Sequence, residues 1–260
     1  MQYRMPFLFM AALLLGVSAM AASPDQAREQ RMADEIQDMI LDGEPVRLRA
    51  DNQSFLGIFT QAENARGSVL LLHGRGFHPD WPTLIQPLRV GLVEQGWNTL
   101  SIQMPVLENG AKYLDYVTIF PNASARIEAA LAFLQERGPG ITVVLAHSCG
   151  SHMAQHWMLH QGEQAMQQFD AYVGLGMGAT DYAQKMVEPF ALDRMKMPVL
   201  DVYAEDDFRA VRRMAQQRLE MIRQAGNPHS RQQMVAGADH YYRGKEDILL
   251  ELIAEWLNGL

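Results

Sequence analysis

The sequence has little cysteine and no cluster of positive charge. Its one cysteine, Cys149, cannot form a disulfide within the chain, so the fold depends on its apolar core. The 22 lysines and arginines form no run and are outnumbered by 30 aspartates and glutamates, which argues against a nucleic-acid-binding protein. With 48% hydrophobic residues over 260 positions, the composition predicts a single globular domain that needs no metal or disulfide for support.

The first 21 residues are typical of an export signal. Arg4 gives a positive start, residues 6–17 are mostly apolar, and Ala-Met-Ala at residues 19–21 fits the small-x-small cleavage pattern. We therefore expect residues 1–21 to be a signal peptide that is cleaved after Ala21, and the mature protein to be periplasmic or secreted. We expect no transmembrane span after cleavage, because no later stretch approaches the roughly 20 apolar residues that a span requires.

The mature chain is predicted to begin with a helical extension over residues 22–45, with helical spacing from Arg28 to Asp42. An antiparallel hairpin follows, because residues 46–50 alternate between apolar and charged side chains and residues 55–59 return after a turn. From residue 67 onward, short apolar strands alternate with helices. The predicted strands cover residues 69–72, 99–104, 141–145, 172–175, 199–203 and 232–235. The predicted helices cover residues 82–95, 149–160, 181–188, 208–224 and 247–257, with one more that Asn122 caps and that ends at Gly138.

This alternation predicts one α/β domain over residues 46–260, with a mostly parallel central sheet and helices on both faces. Only about twenty residues separate the strand that ends near Met177 from the next one, which is close to the length of a single crossover. No large cap domain is therefore expected.

The run Ala146-His147-Ser148-Cys149-Gly150 lies between a predicted strand and a predicted helix, which is the setting of a nucleophile elbow. Such a turn is tight, so its flanking residues must be small, and it lifts the central side chain clear of the sheet. Ser148 also precedes a helix N-terminus, whose free N–H groups stabilise developing negative charge. Ala146 departs from the usual glycine, and its methyl group needs room.

A serine nucleophile needs a base, and the base needs a carboxylate to orient it. Downstream of Ser148, an acidic run that ends at Asp207 follows one predicted strand, and His240 follows another. The order serine, acid, histidine fits an α/β arrangement in which all three lie at the carboxyl edge of the sheet. We therefore predict Ser148 as nucleophile, Asp207 as orienting acid and His240 as base.

Alternatives to this assignment remain open. Asp207 could cap the following helix, with Asp206 or Glu205 as the acid instead. Asp181 is a less favoured substitute, and His240 could be a histidine of a surface loop.

The run His73-Gly74-Arg75-Gly76 follows the first buried strand, where one half of an oxyanion hole is expected. The backbone N–H groups of Arg75 and Cys149 would then donate to the oxyanion, and Gly74 and Gly76 would let the backbone turn and approach closely. The side chain of Arg75 could meet a substrate carboxylate, although exposure or a structural ion pair is favoured.

With these residues in place, the chain resembles the α/β-hydrolase superfamily over about residues 46–258. More narrowly, residues 71–82 (LLHGRGFHPDWP), 96–101 (GWNTLS) and 126–130 (RIEAA) resemble a proteobacterial branch known as a domain of unknown function. The resemblance implies the α/β-hydrolase fold and the positions of the site, and it implies no particular substrate.

Two further groups of residues are candidates for a functional role. Tyr113, Tyr116 and Phe120 are candidates for a pocket wall, with ordinary packing as the alternative. The second group recurs at four-residue spacing in the helix after Ser148 and consists of His152, His156 and His160. Because the glutamate of a zinc-protease motif is missing, we predict a polar helix flank rather than a metal site.

The favoured function is hydrolysis of an ester, or of a thioester or amide, through an acyl-enzyme on Ser148. The predicted partner is a small-molecule acyl substrate, with no cofactor, metal or nucleic acid. One alternative is a non-catalytic envelope protein that uses the scaffold for binding, and another is an acyltransferase with the same three residues. No oligomeric state is predicted.

Overall fold

An eight-stranded sheet forms the centre of the computed structural model, which describes residues 23–138 and 140–260. Its strands are β1 (Glu44–Ala50), β2 (Gln53–Thr60), β3 (Gly67–Leu72), β4 (Trp97–Ile102), β5 (Ile141–His147), β6 (Ala171–Leu175), β7 (Val199–Asp206) and β8 (Arg231–Asp239). They lie in the order β1-β2-β4-β3-β5-β6-β7-β8. Strand β2 pairs antiparallel with β1 and β4, and the remaining pairs are parallel. The predicted hairpin and mostly parallel sheet are confirmed, whereas the predicted signal peptide lies outside the described residues.

Helices cover both faces of this sheet. They are α1 (Gln26–Gln37), α2 (Ile85–Glu94), α3 (Tyr113–Val117), α4 (Pro121–Gln135), α5 (Cys149–Gln161), α6 (Glu163–Met166), α7 (Arg209–Arg213), α8 (Ala215–Ala225) and α9 (Glu246–Leu257). The apolar side chains of β3 point alternately to the two faces of the sheet. Leu70 and Leu72 pack in the core with α4 and α5. Val69 and Leu71 pack in the core with α2 and α9. Within the described ranges, no helix has the length and apolar character that crossing a membrane requires.

The central parallel strands end level with one another. Leu72 pairs with Ala146, and His147 pairs with Leu175. The chain therefore leaves β3, β5 and β6 at the same edge of the sheet. In open α/β sheets, this carboxyl edge is where ligand sites form.

Two predicted helix boundaries are wrong. Helix α1 ends at Gln37 rather than Asp42, because Met39, which contributed to the helical spacing, is 64% exposed and makes no core contact that would extend the helix. Helix α4 begins at Pro121, so Asn122 lies inside its first turn and does not cap it. Proline suits the first helical position, because its missing N–H would have no partner there.

Two other predicted helices are also corrected. Residues 181–188 form no helix, because the contacts of Asp181 with Arg75 and of Glu188 with His156 hold them in an irregular conformation. The predicted helix over 208–224 is divided at Met214 into α7 and α8. Near this division, the carbonyl of Val211 accepts a hydrogen bond from the guanidinium of Arg218 across 2.9 Å.

Helix α1 is fixed to the rest of the structure by a buried ion pair. The Glu29 carboxylate lies 2.8 Å from Nη2 of Arg126 in α4, and it also accepts a hydrogen bond from the N–H of Val106. The guanidinium of Arg28, in the same helix, donates to the carbonyls of Leu107 and Gly76. Helix α1 therefore supports two loops at the carboxyl edge of the sheet.

Candidate active site

Ser148 occupies a strained turn between β5 and α5. Its φ of 53° and ψ of −115° lie in a region that side chains other than glycine rarely adopt. Its N–H donates to the carbonyl of Leu175 in β6 across 2.9 Å, and its carbonyl accepts the hydroxyl of Ser151 at 2.6 Å. These two hydrogen bonds hold the backbone in a conformation that directs the serine side chain away from the sheet.

The residues that flank Ser148 match the space around the turn. A Cβ atom on Gly150 would lie 2.5 Å from the carbonyl oxygens of both Leu72 and His73, so only glycine fits there. Ala146 is fully buried, and its partner in β6 is Gly174, which has no side chain beside the alanine methyl group. The departure from the usual glycine at Ala146 is therefore accommodated.

Ser148, His240 and Asp207 form a continuous chain of hydrogen bonds. Nε2 of His240 lies 2.8 Å from the Oγ of Ser148, and Nδ1 of His240 lies 2.6 Å from Oδ1 of Asp207. Because an ionised carboxylate can only accept, Nδ1 carries the proton and Nε2 is free to accept the serine hydroxyl. This is the tautomer that a general base at Ser148 requires.

The Asp207 carboxylate is buried but well supplied with donors. Burial alone would raise its pKa, but the hydrogen bond and charge of His240 and the backbone N–H groups of Ala204 and Phe208 together lower the pKa below its usual value. These N–H groups lie 3.1 and 2.7 Å from the carboxylate. Asp207 is therefore ionised when it contacts His240.

The alternative acids are occupied elsewhere or exposed. Asp206 is exposed, and the Glu205 carboxylate accepts the N–H of Gly237 across 2.8 Å. The Asp181 carboxylate binds the guanidinium of Arg75 through both oxygens, at 2.5 and 3.2 Å, and also accepts the N–H of Tyr113 at 2.7 Å. Asp207 is thus the acid at His240, and the favoured structural ion pair of Arg75 is the arrangement found. The catalytic roles themselves stay predictions.

Three residues outside the predicted site hold His240 in place. The Phe208 ring stacks on the imidazole with 4.1 Å between centroids. The backbone carbonyl of His240 accepts the Nε2–H of His147 across 3.0 Å. A Cβ atom on Gly176 would lie 2.8 Å from Cε1 of His240, and Gly176 also has a φ of +59°. Of the three, only His147 could have been found from the sequence, because it lies inside the nucleophile-elbow motif.

The loop that contains Gly74 and Arg75 packs against the elbow. A Cβ atom on Gly74 would lie 2.9 Å from Nδ1 of His147. His73 anchors the loop, because its Nδ1 lies 2.8 Å from the carbonyl of Gly74 and its Nε2 accepts the N–H of Met104 at 2.9 Å. Burial lowers the pKa of His73 to about 3, so the ring stays neutral.

Two backbone N–H groups beside Ser148 are available to a ligand. Within residues 23–138 and 140–260, the N–H groups of Arg75 and Cys149 donate to no protein acceptor. Gly76 has a φ of +72°, a conformation that glycine adopts readily, and it completes the turn of the loop. The oxyanion role of Arg75 and Cys149 stays a prediction that this arrangement permits.

A cleft of about 860 Å³ opens in front of Ser148. Besides the elbow and the loop of Arg75, it is lined by residues 179–185, by Phe208 and α7, and by Tyr241. Tyr113 also lines it, as predicted, but Tyr116 and Phe120 do not. Both are buried in the core, where the Tyr116 hydroxyl accepts the N–H of Leu107 at 3.0 Å. The pocket-wall prediction is therefore wrong for these two residues and the alternative of ordinary packing applies, because Tyr116 in α3 and Phe120 just before α4 are buried.

The polar-flank prediction for α5 is wrong for His152 and His156, which are buried, whereas His160 is exposed. His152 is buried, its Nε2 donates to the carbonyl of Ala179 across 2.9 Å, and burial lowers its pKa to about 4. His156 is also covered, and its Nδ1 lies 2.9 Å from both oxygens of Glu188. The ligand atoms of His156, His160 and Glu188 lie within 4.8 Å of one another, so these three residues could hold a metal ion. Helix α5 itself contains no glutamate at this position. Glu188, in the irregular segment over residues 181–188, provides the carboxylate instead.

The strand order, the elbow and the Ser148–His240–Asp207 chain belong to an α/β-hydrolase fold without a large cap domain. Residues 14–115 and 119–259 match the family described as "Protein of unknown function (DUF3530)", and the chain belongs to this family. No curated protein matches the chain.

Several solved structures have a similar fold. The esterase Pf2001 of Pyrococcus furiosus has a TM-score of 0.65 at 16% identity, over 86% of this chain and 94% of that one. The dienelactone hydrolase of Anabaena variabilis has a TM-score of 0.64 at 18% identity, over 84% and 97%. XC6422 of Xanthomonas campestris, a serine hydrolase without lid, has a TM-score of 0.62 at 10% identity, over 84% and 95%. At these identities the likeness establishes the fold.

Proposed function

We propose that this protein is a serine hydrolase that cleaves an ester of a small molecule through an acyl-enzyme on Ser148, with a thioester or amide as variants of the same substrate class. The observation that carries the proposal is the hydrogen-bonded chain from Ser148 Oγ to His240 at 2.8 Å and from His240 to Asp207 at 2.6 Å, beside an open cleft. The esterases and hydrolases with the same fold support it further.

Acylation begins when the Oγ of Ser148 attacks the carbonyl carbon of the substrate. Nε2 of His240 takes the hydroxyl proton, and the ionised Asp207 stabilises the imidazolium that forms. The tetrahedral intermediate then collapses, the bond to the leaving oxygen breaks, and His240 returns the proton to the departing alcohol. Ser148 is left as an ester of the acyl group.

Deacylation repeats these steps with water. His240 removes a proton from water, the hydroxide attacks the acyl carbon, and the bond to Oγ breaks as the proton returns to Ser148. The net reaction consumes one water and one ester and gives one acid and one alcohol. In both steps the N–H groups of Arg75 and Cys149 would stabilise the oxyanion, a contribution of about 3–4 kcal/mol per donor.

A fluorophosphonate probe tests the proposal directly, because it reacts with activated serines. We expect stoichiometric labelling of the native protein and none of Ser148→Ala. Ser54→Ala, which changes an exposed serine of β2, is the matched control and should label like the native protein. Folded native protein that does not label would favour the non-catalytic binding protein instead.

Substrate class and reaction type need two further measurements. A series of p-nitrophenyl esters of graded chain length would define the acyl group that the cleft accepts. Product analysis in the presence of an alcohol would separate hydrolysis from acyl transfer, since a transferase would form a new ester in place of the free acid.

We further propose that the enzyme acts in the periplasm or outside the cell. The support is the signal pattern in residues 1–21. N-terminal sequencing of the protein purified from its native envelope should give Ala22 as the first residue. An intact N-terminus in a cytoplasmic fraction would contradict this location.

A further inference from the structure

The cleft in front of Ser148 has a charge balance opposite to that of the whole chain. The chain carries 22 basic and 30 acidic residues. Among the residues that line the cleft, four are basic and one is acidic. The basic residues are Arg75, Lys185, Arg209 and Arg213, and the acidic one is Asp181. A cleft with excess charge of one sign attracts ligands of the other.

The one acid of the cleft does not neutralise this excess. Asp181 holds the guanidinium of Arg75 with both oxygens, so these two charges cancel. In the part of the chain that the structure describes, Lys185, Arg209 and Arg213 form no ion pair. Three positive charges therefore remain without a carboxylate partner on the walls of the cleft.

Two of these charges are placed close to the reacting groups by α7. This helix begins directly after Asp207 and Phe208, and the Phe208 ring stacks on His240. Arg209 and Arg213 are four residues apart in α7, so they lie on the same side of the helix and repel each other. An anion bound between the two guanidinium groups would remove this repulsion.

A third arginine of α7 provides an internal comparison. Arg212 lies outside the cleft lining, and its Nη1 is 3.4 Å from the carbonyl of Glu205. Arg212 therefore makes a contact at the surface, whereas Arg209 and Arg213 line the cleft. Solubility alone would not require that Arg209 and Arg213 face the same cavity as Ser148.

We propose that Arg209 and Arg213, with Lys185 on the segment that forms another wall, bind an anionic oxygen group of the substrate, so that the enzyme prefers esters that carry a carboxylate or a phosphate. The planar guanidinium offers paired N–H donors that match the oxygens of either group. This inference rests on the proposed hydrolase function, because it specifies the substrate class of that same site.

The test compares two esters of equal chain length, mono-p-nitrophenyl adipate and p-nitrophenyl hexanoate. They differ in that the adipate ends in a carboxylate and the hexanoate in a methyl group. We expect kcat/KM for the adipate to exceed that for the hexanoate by about 10- to 100-fold, the effect typical of hydrogen bonds to a charged group. The preference should fall as salt concentration rises, because the arginines are exposed.

Three variants locate the effect. Arg213→Gln and Arg209→Gln should each lower the adipate-to-hexanoate ratio, and Arg213→Glu should lower it further by adding a repelling charge. Arg212→Gln is the control, since it removes the same charge from the same helix outside the cleft, and it should retain the native ratio. p-Nitrophenyl 5-phosphonopentanoate, in which a phosphonate replaces the adipate carboxylate, would show whether a phosphorus oxyanion is accepted as well.

The outcomes separate this inference from the function on which it rests. If the hexanoate is hydrolysed and the native ratio is near 1, or if Arg212→Gln lowers the ratio as much as Arg213→Gln does, the anionic subsite is wrong and the hydrolase function stands. If neither ester is hydrolysed and Ser148 does not label with the fluorophosphonate, both proposals fail together.

Discussion

His147 donates the Nε2–H of its imidazole to the backbone carbonyl of His240 across 3.0 Å. The two rings lie 5.0 Å apart between centroids, and burial together with the charge of His240 lowers the pKa of His147 to about 3. His147 therefore stays neutral while His240 carries a proton during the proposed reaction. His147, which precedes the proposed nucleophile, thus fixes the backbone of the proposed base.

Replacement of His147 tests this positioning role. We expect His147→Phe to lower kcat by about 10- to 100-fold with little change in KM, because a small displacement of His240 disturbs its contact with Ser148. His147→Gln, whose amide can still donate to the carbonyl, should recover a large part of kcat. Steady-state kinetics on one p-nitrophenyl ester gives both values. Equal losses in the two variants would contradict the role of the hydrogen bond.

Asp207 gives the second prediction. Asp207→Asn removes the charge that orients the His240 tautomer, so we expect kcat to fall by about 10³- to 10⁴-fold. The matched control is Asp206→Asn, which makes the same substitution at the adjacent, exposed aspartate. It should leave kcat within about 2-fold of the native value. A small effect of Asp207→Asn would show that another group orients the base.

The third prediction concerns the buried ion pair of Asp201 and Arg218. Both side chains are fully buried, and the Arg218 Nε lies 2.8 Å from Oδ2 of Asp201. Arg218→Met leaves a buried carboxylate without its partner, so we expect the free energy of unfolding to fall by about 3–5 kcal/mol. The double variant Asp201→Leu/Arg218→Met removes both charges and should lose less than Arg218→Met alone.

Urea denaturation measures these free energies. Gln232 and the carbonyls of Met177 and Val211 also contact the pair, so the double variant should still be less stable than the native protein. A double variant that loses as much as the sum of the two single variants would contradict coupling between the charges.

The fourth prediction is a loss of stability in weak acid. Burial lowers the pKa of His73 and His147 to about 3 and that of His152 to about 4. In the unfolded chain these histidines titrate near 6.5, so between about pH 6.5 and 4 the unfolded state binds more protons than the folded state. Their contribution to stability is thus complete above pH 6.5 and is lost as the pH falls.

At pH 5 this loss should be of the order of 2 kcal/mol for each such histidine. Urea midpoints measured between pH 7.5 and 5 provide the check. His229→Gln, which removes an exposed histidine, should leave the pH dependence unchanged. A midpoint that stays constant down to pH 5 would mean that these rings are protonated in the folded protein.

The hydrogen-bonded chain at Ser148 could be predicted from the sequence because its position depends on topology. Parallel strands end at one edge of the sheet, and each of the three residues follows the end of such a strand. The order of the residues along the chain then identified Asp207 and His240 without any knowledge of their contacts. Glycine at position 150 and the positive φ of Ser148 belong to the same local pattern.

The walls of the cleft could not be predicted in the same way. Tyr113 and Tyr116 lie in one short helix, and which of them faces the cleft depends on how α3 packs. The irregular course of residues 181–188 depends on the pair of Arg75 with Asp181, which are 106 residues apart, and on the contact of Glu188 with His156. Local periodicity holds no information on such distant partners, so by itself it favours a helix for this segment.

The single thiol of the chain adjoins the proposed nucleophile and is nevertheless shielded. Burial raises the pKa of the Cys149 thiol to about 12, so it is essentially never a thiolate at neutral pH. Alkylating agents and mild oxidants act on thiolates, so the folded protein gives them no thiolate to attack at the turn that carries Ser148. The proposed chemistry at this turn is accordingly confined to the Ser148 oxygen, and we expect the thiol to react with such reagents only when the junction of β5 and α5 opens.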